Sequence, residues 1–256
     1  MMAHVSEFFA AFLIAAPLSY LAATFFESLF HDQILDVSAA RARFYFRIRK
    51  YLPGFWNIHV AHGVLHHHRT FVTSFGIQFA GPDERERLLC KLRRSYPTET
   101  VKDFERASFG NTFTAKGVVF YTIPVYVPPL LAATVLPLHM VMGVALASCM
   151  TSFPFFVLSK WIHPYLHMPF EEALLKAPVW VRAVITSPYG VAIRISHWVH
   201  HAEPRYNMNL QYGADLIRRR FRAPTVAEWD EMLAQEIILP CHRARFEGRR
   251  FLLHPF

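Results

Sequence analysis

The segment Ser196-His197-Trp198-Val199-His200-His201-Ala202 places three imidazoles side by side in the last third of the chain. On a helix, positions three and four apart share a face, so His197 can stand beside both His200 and His201 and form a chelating edge. Three more groups accompany it: His59, His62, His66, His67 and His68 in one run, then His163-Pro164-Tyr165-Leu166-His167, and His31 closing an apolar stretch upstream. Eleven of the chain's 15 histidines fall in these four places, a concentration that chance placement does not explain. Neutral imidazole is the commonest nitrogen ligand for zinc, iron and copper, so metal binding is the chemistry these residues suggest. A structural or pH-responsive polar cluster is the alternative. His4, His139, His242 and His254 lie outside the groups and read as ordinary surface or interfacial side chains.

The elements that must position these groups are read from charge. The chain has 256 residues, 53% hydrophobic and 18% charged. Not one Lys or Arg occurs in 1–40 or 117–159, whereas all 27 lie in 41–116 and 160–256. Exclusion of charge from two apolar blocks is a membrane signature. Residues 8–30 are long enough to cross a hydrocarbon core of about 30 Å, and no Lys or Arg precedes them as a cleaved leader would require. The uncharged block 117–159 suits a hairpin of two spans, about 117–136 and 138–160, joined near Leu136-Pro137-Leu138-His139. Val179–Ile195 is apolar but broken by Arg182, Ser187-Pro188 and Gly190, which fits an interfacial or re-entrant segment, with a fourth span as the alternative. The remaining polar regions, 31–116 and 161–256, form a cap. Within them Thr70–Ala80 suits an interfacial segment, 83–106 a solvated helical face, and Thr225–Leu239 an amphipathic helix started at Pro224-Thr225.

The expectation is therefore one all-α domain over 1–256: an integral membrane helical stem of about three to four spans with a cytosolic helical cap. The basic residues flank the spans and form no patch interleaved with aromatics, so the net charge of +8 reflects cytoplasmic retention of basic loops, not nucleic-acid binding. Cys90, Cys149 and Cys241 include no close pair, which excludes a disulfide framework and a thiolate metal site. With one span, a basic region, a two-span hairpin and a second basic region, all four histidine groups come to the cytoplasmic face. One metal usually takes three or four protein ligands, so eight to ten convergent histidines suggest two metals.

His62-x-x-x-His66-His67, His163-Pro164-x-x-His167 and His197-x-x-His200-His201, alternating with hydrophobic spans, resemble the histidine boxes of the fatty acid hydroxylase and sterol desaturase superfamily of membrane di-iron oxygenases. The resemblance covers about residues 27–210. It implies that His31, His59, His62, His66, His67, His163, His167, His197, His200 and His201 supply ligands to two iron ions, with zinc as a frequent replacement on purification. One departure stands out: the first box of the family usually has a second histidine, whereas His31 is followed by Asp32 and Asp36. Asp36 as an oxygen ligand, His59 in the vacant place, and a degenerate first box remain open. His68, Glu203, Asn207 and Asn209 are candidates for supporting the ligands, the last three equally readable as turn and cap residues.

The resemblance further implies oxidation of a C–H bond by O2, giving an alcohol, or an alkene as a close variant. The substrate is expected to be a lipid or similar hydrophobe. No glycine-rich dinucleotide fingerprint and no cysteine cluster is present, so the two external electrons imply a separate ferredoxin-like or cytochrome/reductase donor. Arg218–Arg222 offers a basic surface for such a donor or for anionic lipid headgroups. A membrane metal transporter or sensor is the competing class, but the hairpin 117–159 contains no charged residue and only His139 as an imidazole. A zinc hydrolase would not need so many histidines.

Overall fold

A computed structural model of the chain describes residues 2–70, 82–105 and 115–248. Among these residues the regular structure is entirely helical. The chain opens with α1 (Met2–Phe30), which runs into a π-helical turn, π1 (His31–Leu35), followed by α2 (Ala39–Ile48) and α3 (Pro53–His59). A longer π-helical stretch, π2 (Val60–Thr70), continues α3, and α4 (Pro82–Ser95) and α5 (Thr98–Phe104) complete the first polar region. Next come α6 (Ala115–Ala132), α7 (Leu138–Val157), the turn π3 (Leu158–Ile162) and α8 (His163–Leu166). The last region holds α9 (Phe170–Lys176), α10 (Val179–Thr186), α11 (Pro188–Ala202), α12 (Ala214–Ile217), α13 (Val226–Ala234) and α14 (Pro240–Phe246).

The stem is built on α1 packed along α7, with α6 against α7. Small residues permit the close approach. Ala11, Ala15 and Ala147 are buried at the contact, and a Cβ on Gly143 would lie 2.5 Å from the Phe8 carbonyl oxygen. Ser19 and Ser148 meet there through their hydroxyls at 3.1 Å. The opposite faces carry exposed Phe9, Leu13, Ile14 and Leu18 on α1 and Leu146, Met150 and Phe153 on α7. Two segments, His4–Leu35 and Leu138–Val157, are long and apolar enough to cross a membrane, with only 28% and 33% of their apolar windows buried. A core helix of a soluble protein would turn most of that surface inward, so these outward apolar faces suit lipid. The expected span 117–136 is represented by the apolar stretch Ile123–Ala132, which contains three prolines, its earlier side chains lying outside those described. Two spans, not three to four, are therefore supported among the described residues.

Val179–Ile195 does not form a span. Ser187, in extended conformation, divides it into α10 and α11 and caps the latter by accepting from Gly190 N at 3.0 Å, with Pro188 in the first turn. Pro97 likewise separates α4 from α5. The helix expected over Thr225–Leu239 starts as read, through a Thr225/Glu228 capping box, but stops at Ala234, where Glu236 adopts φ 56°. Thr70–Ala80 falls outside the described residues apart from the backbone of Thr70.

Three apolar clusters back the histidine-bearing elements. Leu65 of π2 packs with Leu89, Leu92 and Phe104 of α4 and α5. Ile162 and Leu166, around α8, pack with Val181, Ile185 and Ile193. Ile195, Trp198 and Val199 of α11 pack with Phe170, Trp229, Met232 and Phe246. Each such side chain contributes roughly 1.5–3 kcal/mol on burial, so the ligand-bearing helices are held from behind by surface they need not share with a ligand.

Candidate metal centre

The π-helical turns explain spacings that an α-helix would not align. At 3.6 residues per turn, positions five apart point about 140° away from each other. In a π-turn the hydrogen bond closes from i to i+5, and such positions stack. Asp36 N donates to His31 O at 2.8 Å in this way, which brings the Asp36 carboxylate to 3.0 Å from His31 Nδ1. In π2 the same closure brings His62 and His67 together, Nε2 to Nε2, at 3.0 Å, with His66 packed beside both. π3 ends with its closing bond from His163 N to Leu158 O and hands the chain to α8, which presents His163 and His167.

The side chains assemble into two adjoining groups. His66, His163, His167, His197 and His201 form one, and His31, Asp36, His62 and His200 the other, with the donor atoms of each group within 4.8 Å of one another. His67 joins the second group through Asp36, its Nε2 standing 3.6 Å from Oδ1, and stacks on His201 of the first with ring centroids 4.1 Å apart. Asp36 is the hub of the second group: Oδ2 also lies 3.8 Å from His62 Nε2 and 3.6 Å from His200 Nε2.

In the first group, the Nε2 atoms of His163, His197 and His167 form a triangle with edges of 2.8, 2.9 and 3.3 Å. A neutral imidazole nitrogen carries either a proton or a lone pair, so at most two edges of a triangle can be hydrogen bonds. At least one pair must set like against like. A cation among three lone pairs removes the conflict, and metal–nitrogen bonds of about 2.0–2.1 Å put neighbouring ligands ~3.0 Å apart at right angles and ~3.4 Å apart at the tetrahedral angle. The triangle fits that range.

Protonation agrees with ligation. Burial first, and then the neighbouring imidazoles, hold His62, His67, His163, His197 and His201 well below the ordinary histidine range. Burial likewise pulls His200 down to about 4, against the opposing pull of Asp36. These rings are neutral at pH 7, the form that binds metal. His200 Nδ1 donates to the Tyr206 carbonyl oxygen at 2.9 Å, so its lone pair is on Nε2, a buried atom that faces Asp36 and has no hydrogen-bond partner among the described residues.

The structure leaves His59 outside both groups. It is buried, and its Nδ1 lies 2.8 Å from the Leu35 carbonyl oxygen, one residue before Asp36. His59 therefore braces π1 against the end of α3, and Asp36 occupies the place beside His31. The side chain of His68 lies outside those described.

Among the described residues Glu203, Asn207 and Asn209 make no hydrogen bond to the histidines; they fix the loop after α11. Glu203 pairs with Arg205 and Arg222. Asn207, at φ 52°, accepts from Arg222 N at 2.8 Å and donates to Arg222 O at 3.0 Å. Asn209 donates to Glu27 Oε2 at 2.9 Å and to the Thr24 carbonyl at 2.8 Å, while its backbone N–H reaches Asp215. Ser28 in turn donates to Asp215 at 2.5 Å, and Arg218 bonds both Ser28 and Asp32. This buried network clamps the end of α1, and with it His31, to the loop that follows His200 and His201. Of the four arginines in Arg218–Arg222, Arg218 pairs with Asp32 and Arg222 with Glu228, which leaves less free positive charge there than the sequence suggests.

Arg194 escaped notice in the sequence. It is completely buried on α11, and its guanidinium donates to the carbonyls of Tyr165, Leu166 and Met168. These are the unsatisfied carbonyls at the end of α8, so Arg194 locks the helix of His163 and His167 to the helix of His197. Comparison with protein-family models, curated proteins and solved structures gives no match.

Proposed function

We propose that this chain is a membrane di-iron oxygenase that hydroxylates a C–H bond of a lipid-like substrate, with O2 as co-substrate and a separate redox protein as electron donor. Desaturation by the same centre is a close variant. The observation that carries the reading is the pair of adjoining, buried to half-buried, nitrogen-rich ligand groups at the end of apolar helices. The resemblance of the boxes to the fatty acid hydroxylase and sterol desaturase superfamily supports it, as does the ligand number, which exceeds what one hydrolytic zinc takes.

His66, His163, His167, His197 and His201 would hold one metal, and His31, Asp36, His62, His67 and His200 the other. A di-iron centre held there would supply the dioxygen activation that oxidation of an unactivated C–H bond requires. The chain's own residues do the rest. Burial keeps the rings neutral, Tyr206 O fixes the tautomer of His200, and Arg194 and the Asn209–Glu27–Asp215 network hold the three boxes in register. Buried Phe30 and Leu35, next to His31 and Asp36 in the chain, add apolar surface that excludes water. The positive-inside tendency puts this end of the stem on the cytoplasmic side, where a soluble donor can reach it. Transport is disfavoured because α7 presents no charged side chain and His139 as its one imidazole.

The test supplies iron-loaded, detergent-purified protein with ferredoxin, ferredoxin reductase, a lipid extract and 18O2. The expected products are lipids heavier by one 18O atom, or lighter by two hydrogens for the desaturase variant, absent with Asp36→Ala. Iron-loaded protein that yields neither product across lipid classes would refute the oxygenase reading.

A further inference from the structure

His4, Glu7 and His139 meet at the other end of the stem. His4 and Glu7 are three apart on α1 and share a face, while His139 is the second residue of α7. Glu7 Oε2 lies 2.5 Å from His139 Nε2 and 3.7 Å from His4 Nδ1, and the two imidazole rings are 4.6 Å apart. One candidate donor atom from each residue lies within 4.8 Å of the others. Roughly 40 Å of helix, at about 1.5 Å per residue, separates His4 from His31, so these residues belong to no part of the centre described above.

We propose that His4, Glu7 and His139 form a separate site for one divalent transition cation of the zinc type. Two imidazole nitrogens and a carboxylate oxygen suit zinc, copper or nickel better than calcium or magnesium, which take oxygen ligands. The exposure of the site, with the His4 and Glu7 side chains 70% and 51% open, leaves room for water at the remaining coordination position. Bound there, the cation staples the start of α1 to the start of α7, the two apolar helices whose packing organises the stem. The rival account is a latch without metal: Glu7 accepts a hydrogen bond from His139 and sits near the positive end of α7. That latch needs only one histidine, whereas His4 turns its Nδ1 toward the same carboxylate.

The experiment is equilibrium dialysis of chelator-stripped, full-length protein in detergent against radioactive zinc. It compares the wild type, a His4→Ala/His139→Ala variant, Glu7→Gln, and a His163→Ala/His197→Ala variant of the histidine-rich centre. The exposed pair is expected to lose one zinc equivalent relative to the wild type, a difference that does not depend on what the histidine-rich centre binds. Glu7→Gln should weaken that equivalent at least about tenfold, as loss of even a supporting group does. The same zinc count and affinity with and without His4 and His139 would overturn the proposal and leave the hydrogen-bonded latch.

Discussion

Arg194 Nη2 donates to the Tyr165 carbonyl oxygen at 2.6 Å, so the helix that carries the last histidine box holds the helix of the middle one by its C-terminal carbonyls. Leu166 and Met168 accept from Nη1 of the same guanidinium. Replacing Arg194 with Met leaves buried carbonyls without donors, each costing about 1–3 kcal/mol. Arg194→Lys keeps a charge but not the planar fork and should fall between. Thermal unfolding in detergent should show a clear loss for Met and a smaller one for Lys. Unchanged melting in both would mean that the boxes are held by apolar packing alone.

Gly143 and Phe8 set the distance between α1 and α7. A Cβ at 143 would lie 2.5 Å from Phe8 O and 3.1 Å from Phe12 N, both backbone atoms that cannot swing aside. Gly143→Val is expected to part the helices at a cost of about 1–3 kcal/mol, whereas Met142→Ala, on the exposed face, should be nearly neutral. Matching melting temperatures for the two variants would contradict this packing.

The buried imidazoles set a pH window. His200 binds a proton in the unfolded chain below about 6.5 but in the folded chain only below about 4. Its folded value is depressed, so its contribution to stability is complete above pH 6.5 and is lost as pH falls toward 4. At about 1.4 kcal/mol per unit, this residue alone accounts for on the order of 3 kcal/mol, and the neighbouring histidines shift in the same direction. Chelator-treated protein should therefore melt at a lower temperature at pH 5 than at pH 7.5. A flat or inverted profile would contradict the burial of neutral rings.

The histidine groups were legible because imidazole repeats at helical spacing survive as sequence patterns. The stem was legible because Lys and Arg are absent from whole blocks. Asp36 was visible only as one of three options, since an i+5 pair aligns solely in a π-turn, and no residue pattern around His31 announces one. His59 looked like a ligand by its proximity to His62, yet its ring reaches the Leu35 carbonyl, a backbone partner that leaves no mark on side-chain composition. Arg194 was hidden for the same reason: its partners are three carbonyls, not a carboxylate. Glu203, Asn207 and Asn209 follow the last box closely enough to suggest ligand support, but the loop folds so that they bind Arg222, Glu27 and Asp215 instead.

The most direct test of the account is the metal content of detergent-purified protein grown with ample iron. About two metal ions per chain are expected in the histidine-rich centre, with one lost in His163→Ala/His197→Ala and the other in Asp36→Ala/His200→Ala. His59→Gln should retain both, because His59 supports π1 without donating to either group. Wild-type protein that holds no stoichiometric metal, or variants of both groups that retain the full count, would contradict the central claim and return these histidines to a structural role.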